Sequence, residues 1–271
     1  TPKPSSAASD VYKRQVLDPT ALGAGSVIYF FGNLPNVAFT GIEGLTLVGQ
    51  ESEADSFVVD GTVGDDVLEF HSGITPDTVS VSGSLDANNA TGNGPFALVP
   101  TTLKGMSQTS GLLINAFFQI GGFDELRVNG TDQDDQFLIS GNLGASRIDH
   151  IIGNTVMQGI SFSSFSSVTV DMADGSDQVR VIPDLEFNIG PNTFPVSIAI
   201  MGGGSDDRLL VDESARASAA GPRTYNVLPL SGNNQRTAGN ITGQDGGGNF
   251  TLGLTYEGIE QVQMVGDGDD T

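Results

Sequence analysis

The chain contains no cysteine and no tryptophan among its 271 residues. Without cysteine there are no disulfides, no thiolate zinc sites and no thiol nucleophile. Basic residues are scarce too, with 11 Lys and Arg against 33 Asp and Glu and a net charge of −22. No basic patch can track phosphates, which excludes nucleic acid as a partner, and the same imbalance excludes an anionic membrane surface. No apolar run approaches the roughly 18 residues of a spanning helix, so no membrane insertion is expected. Histidine occurs only as His71 and His150, at no metal-ligand spacing, and both are expected to be surface or turn residues. No nucleophile elbow, zinc-protease helix or phosphate-binding loop occurs. Arg180 with Asp184, or Arg208 with Asp212, could pass for acid/base couples, and each is read as an exposed ion pair on a strand face. Helix is unsupported, because no stretch of a dozen residues combines three-and-four apolar spacing with caps.

What the chain has is glycine, 37 residues, and aspartate, 24 residues against 9 Glu. One aspartate belongs to a segment set aside from fold reasoning. Ser5 to Gln15 read SSAASDVYKRQ, eleven residues matching the translation of a common transposase-type library adapter, so residues 1–15 are treated as a non-native tail. Residues 16–271 are the region of interest, and only one lysine, Lys104, remains in it.

The acid is concentrated in five hexapeptides: GTVGDD (61–66), GTDQDD (130–135), MADGSD (172–177), GGGSDD (202–207) and VGDGDD (265–270). These hold 12 of the 23 aspartates outside the tail. Each ends in Asp, at 66, 135, 177, 207 and 270, and a degenerate acidic turn precedes them at 49–55. Apolar residues alternate on both flanks. Downstream stand Leu68/Phe70, Phe137/Ile139, Val179/Val181 and Leu209/Val211; upstream stand Phe57/Val59, Leu126/Val128, Val168/Val170 and Ile198/Ile200. Period-two alternation marks half-buried strands. The step across the turn is nine residues in all four cases, so one turn shape is reused.

A longer echo supports a repeat. FTGIEGLTLVG (39–49) returns as YEGIEQVQMVG (256–266), with looser copies at 162–172 and 121–130. The stretches 84–111 and 213–250, rich in Gly, Asn, Ser, Thr and Pro, read as insertions. Strand material inside the second, at 224–228 and 250–256, is expected to pair back onto the sheet. The expected fold is all-β: a β-solenoid, parallel β-helix-like repeat segment with Gly/Asp turns on a common edge and looped insertions. The chain ends directly after an acidic turn, and is read as cut in mid-repeat.

GGGSDDRLL (202–210), VGDGDDT (265–271) and GTVGDDVLE (61–69) resemble the RTX, or haemolysin-type, calcium-binding repeat, whose consensus is GGxGxDxUx with U apolar. The sequence is more similar still to the diverged, longer-period relatives in very large bacterial surface proteins. The final aspartates lie 69, 42, 30 and 63 residues apart, so stacking needs long coils or looped-out insertions. The resemblance implies calcium at the matching positions: Gly61, Gly64, Asp65 and Asp66; Asp132, Asp134 and Asp135; Asp174 and Asp177; Gly202, Gly203, Gly204, Asp206 and Asp207; and Asp267, Asp269 and Asp270. It also implies a secreted or cell-surface location, with cell-surface glycans or neighbouring repeats of the same chain as partners.

Two readings of the turns stand. Calcium takes six to eight oxygens, and a Gly-rich turn with carboxylates can supply them. Alternatively these are Gly-Asp corners held by side-chain hydrogen bonds without metal. Two function classes stand as well: a calcium-binding structural or adhesive module without enzymatic activity, and a β-helix polysaccharide-active enzyme with a carboxylate-lined groove.

Overall fold

The computed structural model describes residues 14–21, 24–29, 36–48, 56–62, 64–73, 75–86, 95–105, 112–116, 123–142, 145–183, 187–189, 192–194, 196–214, 223–229, 237–245 and 251–266. The expected all-β class holds: among the described residues there are strands and turns and no helix. In chain order the strands begin with β1 (Arg14–Ala21), β2 (Ala24–Tyr29), β3 (Val37–Phe39), β4 (Leu45–Val48), β5 (Ser56–Asp60) and β6 (Val67–Ser72). Next come β7 (Thr78–Leu85), β8 (Phe96–Ala97), β9 (Thr101–Lys104), β10 (Leu112–Asn115), β11 (Glu125–Asn129) and β12 (Asp135–Asn142). These are followed by β13 (Ala145–Ile152), β14 (Thr155–Val156), β15 (Ile160–Ser163), β16 (Ser167–Asp171), β17 (Gln178–Val181) and β18 (Phe187–Ile189). The last seven are β19 (Asn192–Phe194), β20 (Ser197–Met201), β21 (Arg208–Asp212), β22 (Arg223–Pro229), β23 (Gly239–Asp245), β24 (Thr251–Glu257) and β25 (Gln261–Val265).

Two open sheets account for all but the small β18–β19 hairpin. The first runs β25-β21-β17-β12-β13-β15-β10-β5-β1-β2-β3 with β14 beside β13, the second β22-β23-β24-β20-β16-β11-β6-β7-β9-β4 with β8 beside β7. Their cores are parallel. Leu126 on β11 is level with Leu68 and Val168, and Val168 is level with Ile198, which is level with Leu254. In the first sheet Phe137, Val179, Leu209 and Val262 stand in one register. The alternating pairs of the sequence are therefore stacked rows, and with the exception of the half-exposed Val262 these residues are buried in one shared hydrophobic cluster. Period-two alternation puts one face of each strand into that cluster. Antiparallel hairpins are spliced in: β6–β7 and the β22–β23–β24 meander in the second sheet, β12–β13 in the first. The material in the 213–250 insertion thus joins the second sheet, and β24 pairs in parallel with β20.

The acidic corners do not share one edge. Residues 61–66 lead from β5 in the first sheet into β6 in the second. The corners at 130–135, 172–177 and 202–207 lead from the second sheet into the first. Because β6, β11, β16 and β20 are parallel, Asp66 lies at one end of these strands and Asp135, Asp177 and Asp207 at the other. The long echo behaves similarly. Gly41 and Gly258 share a left-handed backbone, φ 67° and 73°, yet one turn joins first sheet to second and the other second to first. Local sequence encodes the turn; its direction depends on where the chain already runs. At the amino end, Arg14 and Gln15, within the segment set aside, pair through β1 with β5; residues 1–13 lie outside the described residues.

The outer face of the second sheet is polar. Arg127 bonds Glu125 at 3.0 Å and lies 3.6 Å from Glu69 on the neighbouring strand. These side chains are half exposed, so water screens the pairing. Arg127→Ala is expected to cost less than about 1 kcal/mol in urea unfolding.

Candidate functional site: two rows of corner carboxylates

At the end of each corner, at or just before the start of the next strand, one backbone N–H points at the neighbouring corner. Buried N–H groups must be paired. Here a carboxylate of the adjacent corner does this. The Asp135 N–H donates to Asp177 Oδ1 at 2.7 Å, the Asp177 N–H to Asp207 Oδ1 at 2.9 Å, and the Asp207 N–H to Glu260 Oε2 at 2.8 Å. At the other end of the strands the Asp66 N–H donates to Asp124 Oδ1 at 2.8 Å. Asp66, Asp135, Asp177 and Asp207 are at most 2% exposed.

The doublets add a return bond. The Phe123 N–H donates to Asp65 Oδ1 at 2.9 Å, and the Ser176 N–H to Asp134 Oδ1 at 3.0 Å. Two pairs of corners are thus closed by two opposed carboxylate–amide bonds, a clasp seen for 65–66 with 123–124 and for 134–135 with 176–177. Each such bond gives a backbone donor of one corner an acceptor from the next. A clustering of aspartate in the turns therefore has a physical cause that involves no metal.

Within a corner the inner carboxylate is held by a threonine four residues earlier. Asp66 accepts from the Thr62 N–H and from its hydroxyl at 2.8 Å, and from the Asp86 N–H at 2.9 Å. Asp135 accepts from the Thr131 N–H at 2.6 Å and its hydroxyl at 3.1 Å. At Asp177 and Asp207 the equivalent residues are Ala173 and Gly203, which carry no hydroxyl. One oxygen of each, Asp177 Oδ2 and Asp207 Oδ2, is buried without a hydrogen-bond partner.

Glycine at these corners answers to the carboxylates and to close neighbours. A Cβ at Gly130 or Gly202 would lie 2.7 Å from the Oδ2 of Asp135 or Asp207, and one at Gly61 2.5 Å from that of Asp66. Gly64 and Gly203 leave room for backbone carbonyls of the adjacent corners, at Asp86 and Ala173. Gly203 has φ 88°, and Ser205 keeps φ 87° where the repeat consensus has glycine. Gly204 bridges to Asp174.

Charge and burial act on the rows together. Burial pushes the Asp177 carboxyl up to about 7, with the neighbouring Asp135, Asp207 and Asp134 raising it and the Asp135 N–H lowering it. Burial likewise takes Asp124 to about 6, aided by Asp66 and Asp65. Asp66 and Asp207 are raised, again chiefly by burial.

His150 is not a surface or turn residue. It sits on β13, 1% exposed, with its ring stacked on Phe137 at 4.4 Å between centroids. Its Nε2 lies 2.9 Å from Asp135 Oδ1 and its Nδ1 2.6 Å from Ser72 Oγ. The signal was present in the sequence: Ser146, Ile148 and His150 alternate, and all three are buried. His71 is 44% exposed, beside Asn129 and Glu69. The pairing of the arginines also differs. Arg180 meets Asp212 of the neighbouring strand at 2.6 Å, Arg208 meets Gln263, and Asp184 lies outside the described residues.

Of the other singled-out acids, Asp65, Asp132, Asp134, Asp174 and Asp206 are exposed, and Asp267, Asp269 and Asp270 lie outside the described residues. Among the described residues no three His, Asp or Glu side chains converge as a metal group. Asp66 and Asp135 spend their carboxylate oxygens on amides and hydroxyls, whereas Asp177 Oδ2 and Asp207 Oδ2 keep no partner. Asp124 and Glu260, which take part in the rows, belong to none of the sequence hexapeptides. The chain matches no protein-family model, no curated protein and no solved structure.

Proposed function

We propose that this chain is a structural or adhesive all-β repeat module, a β-solenoid segment of a large secreted or cell-surface protein, stiffened at its corners by rows of buried carboxylates. The observation that carries the reading is the clasp, which joins corners 42 and 58 residues apart in sequence through opposed carboxylate–amide bonds. Such bonds stabilise adjacency between coils without forming a cleft. Of two surface cavities formed by described residues, one of about 320 Å³ over Val196, Asn226 and Thr242 has no ionisable lining residue. The other, about 380 Å³ beside Gly41 and Pro100, has Glu43 alone. Neither gathers the several carboxylates and arginine that a polysaccharide-active groove would need. Cell-surface glycans and neighbouring repeats are the partners in keeping with this reading.

Calcium is the second reading, favoured by the resemblance to RTX repeats and by the unpartnered Asp177 Oδ2 and Asp207 Oδ2. One experiment separates the two. If the clasp suffices, melts in excess chelator and in millimolar calcium superimpose, and calorimetry on residues 14–271 records no binding heat. If calcium is the fastener, it binds on the order of 10⁻⁴ to 10⁻³ M as in extracellular modules. At about a hundred times the dissociation constant it then adds roughly 2.7 kcal/mol per site. That outcome would replace the metal-free clasp.

A further inference from the structure

We propose that Ser72 is an activated nucleophile, with His150 as its general base and Asp135 as the group that orients the base, and that it accepts acyl groups from neutral carboxylic esters. The three residues come from β6, β13 and the start of β12, so both sheets contribute. Asp135 receives the Thr131 N–H and hydroxyl, and these donors fix its carboxylate as an acceptor for His150. A carboxylate only accepts, so Nε2 of the neutral ring carries the hydrogen. Nδ1 is then the lone-pair nitrogen, and the Ser72 hydroxyl donates to it at 2.6 Å. Stacking on Phe137, with ring planes 5° apart, holds the imidazole in that orientation. The result is the hydroxyl–imidazole–carboxylate relay of acyl-transfer sites, with the two ring nitrogens exchanged.

Access and charge define the substrate. His150 and Asp135 are sealed, whereas Ser72, the last residue of its strand, is only partly buried. The corner carries the exposed Asp132 and Asp134, and the whole chain has a net charge of −22, so phosphate esters and other anions are repelled. A neutral ester is not. In the step, the Ser72 oxygen bonds to the acyl carbon and its proton passes to His150 Nδ1. The bond from the acyl carbon to the alkoxy or aryloxy oxygen breaks, and that oxygen leaves with the bonding pair.

The test uses p-nitrophenyl acetate on the folded chain, with intact mass and peptide mapping as readouts. One acetyl group is expected on Ser72, formed at least about 100-fold faster than on the same chain in urea, since a positioned base contributes on the order of 10² to 10⁴. Ser72→Ala should lose the adduct. His150→Gln, which removes the base, should slow Ser72 acetylation by a similar factor. Because that change empties a buried position, the urea comparison stands as a second criterion that does not depend on how the variant folds. No adduct on Ser72, or an adduct forming as fast in urea, overturns the proposal and leaves the relay a buried structural contact.

Discussion

Asp135→Ala is expected to lower the stability of the chain by about 4–6 kcal/mol, read as the shift in a urea unfolding curve. Three donors lose their acceptor at once: the Thr131 N–H, the Thr131 hydroxyl and His150 Nε2. Leaving a buried donor unpaired costs about 1–3 kcal/mol, and three donors are left here at once. The Asp135 N–H keeps its bond to Asp177, so the loss comes from the side chain rather than the backbone. Against a typical total of about 5–15 kcal/mol, a change of this size leaves many chains unfolded at moderate temperature. Asp134→Ala is the internal contrast. It removes an exposed acceptor from the Ser176 N–H, which water can replace, and about 1 kcal/mol is expected. If Asp135→Ala costs no more than Asp134→Ala, the buried row is not what holds the corner.

The strands and core were legible in the sequence because alternation is a local property. Phe137 and Ile139, or Val168 and Val170, face inward by period two alone, and the constant nine-residue step identified a shared corner. The purpose of the corner carboxylates was not legible, because it depends on which corners are neighbours. The β12–β13 hairpin separates β12 from β15 in the first sheet, and a hairpin also follows β6 in the second, so spacing along the chain does not give spacing in the rows. Asp124 illustrates the difficulty. It lies in no acidic hexapeptide, yet it receives the Asp66 N–H because Glu125 is level with Val67. The same dependence placed Asp66 and Asp135 at opposite ends of parallel strands, although their hexapeptides both begin Gly-Thr. His150 is a different case: it stands at no metal-ligand spacing, while its alternation with Ile148 places it in the core.

Stability should fall as the pH rises from about 4.5 to 7.5, and Asp177→Asn should remove much of that fall. The Asp177 carboxyl, raised from 3.8 to about 7, binds a proton in the folded chain at pH values where the unfolded chain has released it. Its stabilising contribution is therefore complete below pH 3.8 and is lost as the pH climbs through about 7. Asp124, raised to about 6, acts in the same direction, as do the raised Asp66 and Asp207. Glu125 and Asp212 are lowered, chiefly by hydrogen bonds from Arg127 and Ser214, so their contribution fails only in more acid solution, as the pH falls through their folded-state pKa values. Three pKa units correspond to about 4 kcal/mol, a ceiling for Asp177 at neutral pH. The Asp177→Asn side chain keeps an oxygen for the Asp135 N–H and removes the buried charge, but its amide hydrogens replace an oxygen that has no partner, which returns about 1–2 kcal/mol. The net expectation is a gain of roughly 2 kcal/mol at pH 7.5 and little change at pH 4.5, or several degrees in Tm at the higher pH. Calcium held by this carboxylate gives the opposite sign, since the amide would lose the ion and its stabilisation. Melting Asp177→Asn and its parent at both pH values, with calcium and with chelator, distinguishes the two: a loss of stability confined to the calcium arm at pH 7.5 assigns the row to the metal, and a gain in both arms assigns it to the clasp.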